Sequence, residues 1–161
     1  MQQELDAWTT DEGIAALPED KKAWADMAKK VLAPYRDRIV TIEEEFHPQG
    51  PIPDLEGFPL FWLRSFGHTP GHVSYVIAKE EGEKPLLICI GDIVHIAEVQ
   101  MLRPQTTIVF DSAPVAAREI RERTFGVSAE ENYLLAGPHL PFPGTGTLEK
   151  DGDGYRFIPV K

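Results

Sequence analysis

The stretch FGHTPGH, residues 66–72, sets two of the chain's five histidines, His68 and His72, four positions apart among turn formers. Imidazole nitrogens are common metal ligands, and flanking glycines let a tight turn present a ring without backbone in its way. A HxxxH pair outside a helix has little specificity by itself. Its weight grows because Asp92 closes the apolar run LLICIGD and His139 follows NYLLAGP. Both stand where loops at the C-terminal ends of strands gather ligands in α/β sheets. His68, Asp92 and His139 therefore form a candidate metal-ligating set delivered by three strand ends.

The remaining candidates are weaker. His95 lies three residues after Asp92, near the presumed edge of the site, where it can pack or contact substrate. His47 sits in a Pro-rich loop and is expected at the surface. The single cysteine, Cys89, falls inside LLICI and reads as a small buried hydrophobe; it cannot form an intrachain disulfide.

The elements that must position these residues can be read from periodicity. Ala23, Trp24, Met27, Val31 and Leu32 recur at helical spacing between Pro18 and Pro34. RIVTI, residues 38–42, is a short β-branched strand candidate, and the acidic run Glu43 to Glu45 a solvated strand end. Residues 48–57, with three prolines and two glycines, read as loop. FPLFWLRS, HVSYVIAK and PLLICIGD are three successive strand candidates, the last apolar throughout and so suited to burial on both faces. Asp111 or Ser112 can cap a helix over residues 113–125 with Gly126 as its stop, and Ser128 to Glu131 fits a capping box for one further turn. DGDG, residues 151–154, signals a hairpin between GTLEK and GYRFIPV. The expected organisation is one α/β domain over residues 1–161: a helical lead-in over 1–36, then a mixed sheet with flanking helices over 37–161 and a C-terminal hairpin over 145–160.

Composition narrows the function classes. A formal charge of -10 and the lack of a basic cluster argue against nucleic acid. No segment approaches the roughly 18 consecutive apolar residues of a membrane span. The N-terminus lacks the basic and apolar regions of a signal peptide, so a cytoplasmic protein is expected if Met1 is the start.

GHTPGH, then GD about twenty residues on, then GPHLPFPG and the closing GDGYRFIPV resemble the C-terminal half of the metallo-β-lactamase fold superfamily, in its lactonase-like and organophosphate-hydrolase-like branch. The resemblance implies the second half of an αββα sandwich with a two-metal site, usually zinc, at one edge. It implies that His68 binds the first metal, that Asp92 bridges the two and that His139 binds the second. His72 would be a structural or supporting residue, since that position is not generally a ligand, while His95 stays a supporting or substrate-side residue. The implied activity is hydrolysis of esters, lactones or phosphotriesters, small-molecule substrates, by a hydroxide held between the two metals.

The family's HxHxDH motif is missing: the chain contains no HxH and no DH. A catalytic zinc generally takes three protein ligands, and on this set each metal has two even when Asp92 is shared. The isolated chain is accordingly expected to be metal-free or partly occupied and inactive, a truncated or fragmentary member starting where the family's first half would end. Half a sandwich should also leave an apolar sheet face open, with Phe61, Leu63 and Ile88 expected on it. A homodimer, or a chain supplying the missing half, is the expected partner. The alternative is a non-catalytic derivative serving as an oligomerisation or interaction module.

Overall fold

The structure, a computed structural model, describes residues 1–42, 49–52, 55 and 57–161. His47 and the acidic run Glu43 to Glu45 lie outside the described residues.

Three helices lead in: α1 (Gln2–Thr9), α2 (Asp11–Ala16) and α3 (Glu19–Leu32). Thr10 caps α2 by accepting the Gly13 N–H on its hydroxyl, the kind of junction that lets the chain turn between two short helices. A 3-10 turn over Ala33–Arg38 follows α3, and residues 39–42 are not a strand. Ile39 and Val40 instead line an apolar cavity of about 540 Å³ with Leu5, Trp8 and Met27. β-Branching made this stretch look like strand, but it has an apolar surface to cover and no described neighbour to pair with.

The sheet has seven strands in chain order: β1 (Gln49–Pro51), β2 (Leu60–Arg64), β3 (Val73–Ile77), β4 (Leu87–Cys89), β5 (Leu135–Ala136), β6 (Thr145–Asp151) and β7 (Gly154–Pro159). All neighbours are antiparallel except β4 and β5. That parallel pair needs a crossover, made by α4 (Ala97–Gln100) and α5 (Pro114–Glu131). β2, β4 and β5 therefore run in one direction, and their C-terminal ends share one edge. No helix among the described residues is long and apolar enough to cross a membrane.

Helix α5 runs through Gly126, five residues beyond the expected stop, and absorbs the separate turn expected at 128–131. A glycine inside a helix costs about 1 kcal/mol. Continuing past it buries Ser128 beside Phe125, and Asn132 ends the helix in the left-handed conformation at φ 54°.

Register decides which face is which. Phe61 lies opposite Val76, Val76 opposite Ile88, and Ile88 beside Leu135. Ile88 and Leu135 join Phe125, Leu148 and Tyr155 in the core beneath α5, with Phe125 edge-on to Tyr155 at 5.5 Å. Phe61, Leu63 and Ile88 therefore face the helix and not the open side. The open side is the alternate set Leu60, Trp62, Tyr75, Ile77, Leu87 and Cys89, because successive strand residues point to opposite faces. Trp62 is buried and Leu60, Ile77, Leu87 and Cys89 are half-buried, while Tyr75 is 42% exposed. This face is apolar and largely half-buried, with Tyr75 its one exposed member, and it is one residue out of phase with the expectation.

Candidate metal centre

The shared strand edge carries the chemistry. The loop after β2 holds His68 and His72, a 3-10 turn after β4 (Gly91–Ile93) holds Asp92, with His95 following it, and the loop after β5 holds His139. His68 Nε2 lies 3.5 Å from Asp92 Oδ2, His95 Nε2 4.0 Å from the same oxygen, and His139 Nε2 3.5 Å from Oδ1. The His95 ring sits between the other two, with centroids 4.6 Å from His68 and 4.6 Å from His139. Ligand atoms of a tetrahedral zinc with bonds of about 2 Å stand about 3.3 Å apart. The donor types and spacings fit a divalent metal, and His68, Asp92 and His95 form a group that could hold one, with ligand atoms all within 4.8 Å of one another.

Two glycines make the edge possible. Gly67 has φ +136°, and a Cβ there would lie 2.3 Å from the backbone N of Ala117 in α5. Gly91 has φ +54°, and a Cβ would fall 2.7 Å from His72 Nε2. Gly91→Ala is expected to lower unfolding free energy by about 1–2 kcal/mol from the left-handed backbone alone, read by urea denaturation, before the clash with His72 adds to it.

His72 is committed elsewhere. Its Nδ1 lies 3.0 Å from the Ser65 carbonyl oxygen and 2.8 Å from Ser65 Oγ, and Nε2 accepts the backbone N–H of Asp92 at 3.1 Å. With both nitrogens used, the ring fixes the backbone at Asp92. Burial, aided by the nearby His68, holds its pKa below the ordinary histidine value, in keeping with an Nε2 that must stay unprotonated to accept. Burial also lowers His95.

Two residues the sequence left unread complete the site. Asp111, expected as a helix cap, does not cap α5, whose N-cap is Ala113 without a side-chain bond. Its Oδ1 lies 3.2 Å from His68 Nδ1, and its Oδ2 accepts the Ile108 N–H at 3.1 Å. An acceptor on Nδ1 turns Nε2 of His68 toward Asp92, the role carboxylates commonly serve behind histidine ligands. Asp111 in turn faces Arg121 of α5 at 3.7 Å, both side chains 0% exposed. Burial would push the Asp111 carboxyl up, but His68, the Ile108 N–H and the Arg121 guanidinium together hold it below the usual carboxylate range.

The lead-in helices are pinned to the same loops. Glu4 accepts the Gly71 N–H at 2.7 Å, Lys21 donates to the Phe110 carbonyl at 3.0 Å, and Trp24 stacks on Phe110 at 5.8 Å.

No protein-family model and no curated protein matches the chain. Solved structures do. It is similar to the hydrolase AbOPH of the beta lactamase superfamily, at 32% identity and a TM-score of 0.76 over 99% of this chain and 53% of that one. It is similar to AidC, a dizinc quorum-quenching lactonase solved with the product N-hexnoyl-L-homoserine, at 20% identity and a TM-score of 0.72 over 89% of this chain and 45% of that one. A probable metal-dependent hydrolase from Staphylococcus aureus matches at 21% identity and a TM-score of 0.53, over 79% of this chain and 42% of that one. The chain spans about half the length of the structures it matches. By sheet, edge and likeness together, the chain carries part of the metallo-β-lactamase fold.

Proposed function

We propose that the chain is one part of a metal-dependent hydrolase for esters, lactones or phosphotriesters, active when a second polypeptide segment supplies the HxHxDH ligands. The observation that carries this reading is the pairing of two incomplete features on one sheet. A His/Asp cluster suited to metal stands at the edge, and beside it lies an apolar sheet face from Leu60 to Leu87 on which Leu60, Ile77, Leu87 and Cys89 are only half-buried and Tyr75 is exposed. One added layer would complete both. In the completed site His68, Asp92 and His139 would hold the metals. Bound metal there would supply Lewis-acid polarisation of the substrate and an acidified water. The residues of this chain orient the ligands: Asp111 through His68, and His72 through the Asp92 backbone.

The test is complementation. The zinc-loaded chain is mixed with the separately expressed HxHxDH-bearing half of a similar hydrolase and assayed on a lactone, an aryl ester and a phosphotriester. Turnover is expected in the mixture and in neither part alone. A complex that forms by light scattering yet turns nothing over would overturn the hydrolase reading in favour of the second one, a non-catalytic interaction module, which the same open face favours. Leu87→Asp, which puts a charge on that face, is expected to abolish the complex under either reading.

A further inference from the structure

We infer that His95 is a metal ligand, and that His68, Asp92 and His95 give this chain a mononuclear metal site of its own. The inference rests on the reading of the cluster as a metal centre and changes its stoichiometry. On the motif residues alone each metal has two ligands from this chain; with His95 one metal has three, the usual protein complement of a zinc that keeps a position open.

Three observations support it. First, Asp92 Oδ2 is the oxygen that faces both His68 and His95, at 3.5 and 4.0 Å, whereas His139 faces Oδ1. His68, Asp92 and His95 offer donor atoms all within 4.8 Å of one another, while His139 lies against the other carboxylate oxygen. Second, His95 is unspent. Its Nε2 stands 4.0 Å from Asp92 Oδ2, too long for a hydrogen bond, and so is open to a cation. His72, by contrast, has both nitrogens hydrogen-bonded and is no ligand.

Third, the backbone that carries His95 is held from two sides by fully buried side chains. Gln100 Oε1 accepts the N–H of His95 at 2.8 Å and of Ile96 at 3.1 Å, while its Nε2 donates to the Thr106 carbonyl at 3.1 Å. Arg121 Nε donates to the Ile93 carbonyl at 2.7 Å. Both Gln100 and Arg121 are 0% exposed. Support of this kind behind a donor is what fixes a ligand in position before the metal arrives.

The experiment uses the full chain, stripped with chelator and titrated with zinc or cobalt(II). About one equivalent should bind to the wild type. His95→Ala should weaken it at least about tenfold, since removal of even a group behind a ligand costs about 10- to 100-fold, and His139→Ala should change it by less. Far-UV circular dichroism checks that each variant folds. His95→Cys, kept reduced, should recover binding and add a thiolate-to-cobalt charge-transfer band, a signal that requires direct coordination. Wild-type affinity in His95→Ala, or a folded His95→Cys with bound cobalt and no such band, overturns the assignment of His95 and leaves the metal centre standing. A wild-type chain that binds no metal overturns the assignment and the reading of the cluster together. A metal-loaded chain that fails complementation overturns only the hydrolase.

Discussion

Arg121→Ala should lower unfolding free energy by about 3–5 kcal/mol, the range for removing one partner of a buried ion pair. The side chain is 0% exposed and spends itself on four groups: the carbonyls of Ile93 at 2.7 Å, Pro104 at 3.0 Å and Thr106 at 2.7 Å, and the Asp111 carboxylate at 3.7 Å. Alanine takes the guanidinium counter-charge from a fully buried carboxylate, leaving it His68 and the Ile108 N–H, and takes the side-chain donor from the Ile93 and Pro104 carbonyls, while Thr106 keeps Gln100 Nε2. Against a total stability of about 5–15 kcal/mol for a domain, the loss is large enough to shift the urea midpoint steeply. Arg121→Lys should recover only part of it, because one ammonium cannot reach all the acceptors that the guanidinium fork spans. The effect also has a pH signature. A depressed folded pKa means that Asp111 contributes its stability above the unfolded value of about 3.9 and loses it as the pH falls through the folded value. The difference between wild type and Arg121→Ala should therefore narrow as the pH is lowered below about 4. A difference that stays constant from neutral to acid would mean that the carbonyls, and not Asp111, carry the cost.

Much of the site's frame was legible because it is local. A short apolar run that ends in GD, or in a proline and a histidine, announces a buried strand and what it delivers, and DGDG sets a tight turn whose register puts Asp151 opposite Gly154. The direction of β2, β4 and β5 then brings three loops to one edge. What was illegible depends on partners distant in sequence. An arginine in a helix is ordinarily solvated; only the packing of α5 against the loop from Ile93 to Thr106 shows that Arg121 is fully buried. Asp111 looks like a cap before a proline, and its contact with His68 spans 43 positions. The open face was misassigned for a related reason. Phe61 and Leu63 alternate with Leu60, Trp62 and Arg64, and since both sets contain large apolar residues, the pattern could not say which set lies under the helix. His95 was placed near the site by its distance from Asp92, but whether it points to metal or to substrate depends on the Gln100 and Arg121 contacts that hold its backbone.

Asp92→Asn should separate function from fold in the opposite sense to Arg121→Ala. Asp92 is the side chain that three imidazoles share, and it is the carboxylate in the His68, Asp92 and His95 group. Asparagine keeps its shape but removes the charge that balances a divalent cation, so zinc affinity measured by calorimetry should fall at least about a hundredfold, beyond the range for loss of a supporting group. Stability without metal should move little, by about 0.5 kcal/mol or less, because the side chain is 39% exposed and its removal strands no buried partner. The anchoring bond from the Asp92 N–H to His72 belongs to the backbone and survives the substitution. If Asp92→Asn instead destabilised the metal-free chain as much as Arg121→Ala does, the carboxylate would be a structural counter-charge for the histidines. Lost zinc binding with an unchanged urea midpoint would place its role in metal binding, and adding zinc should then raise the midpoint of the wild type alone.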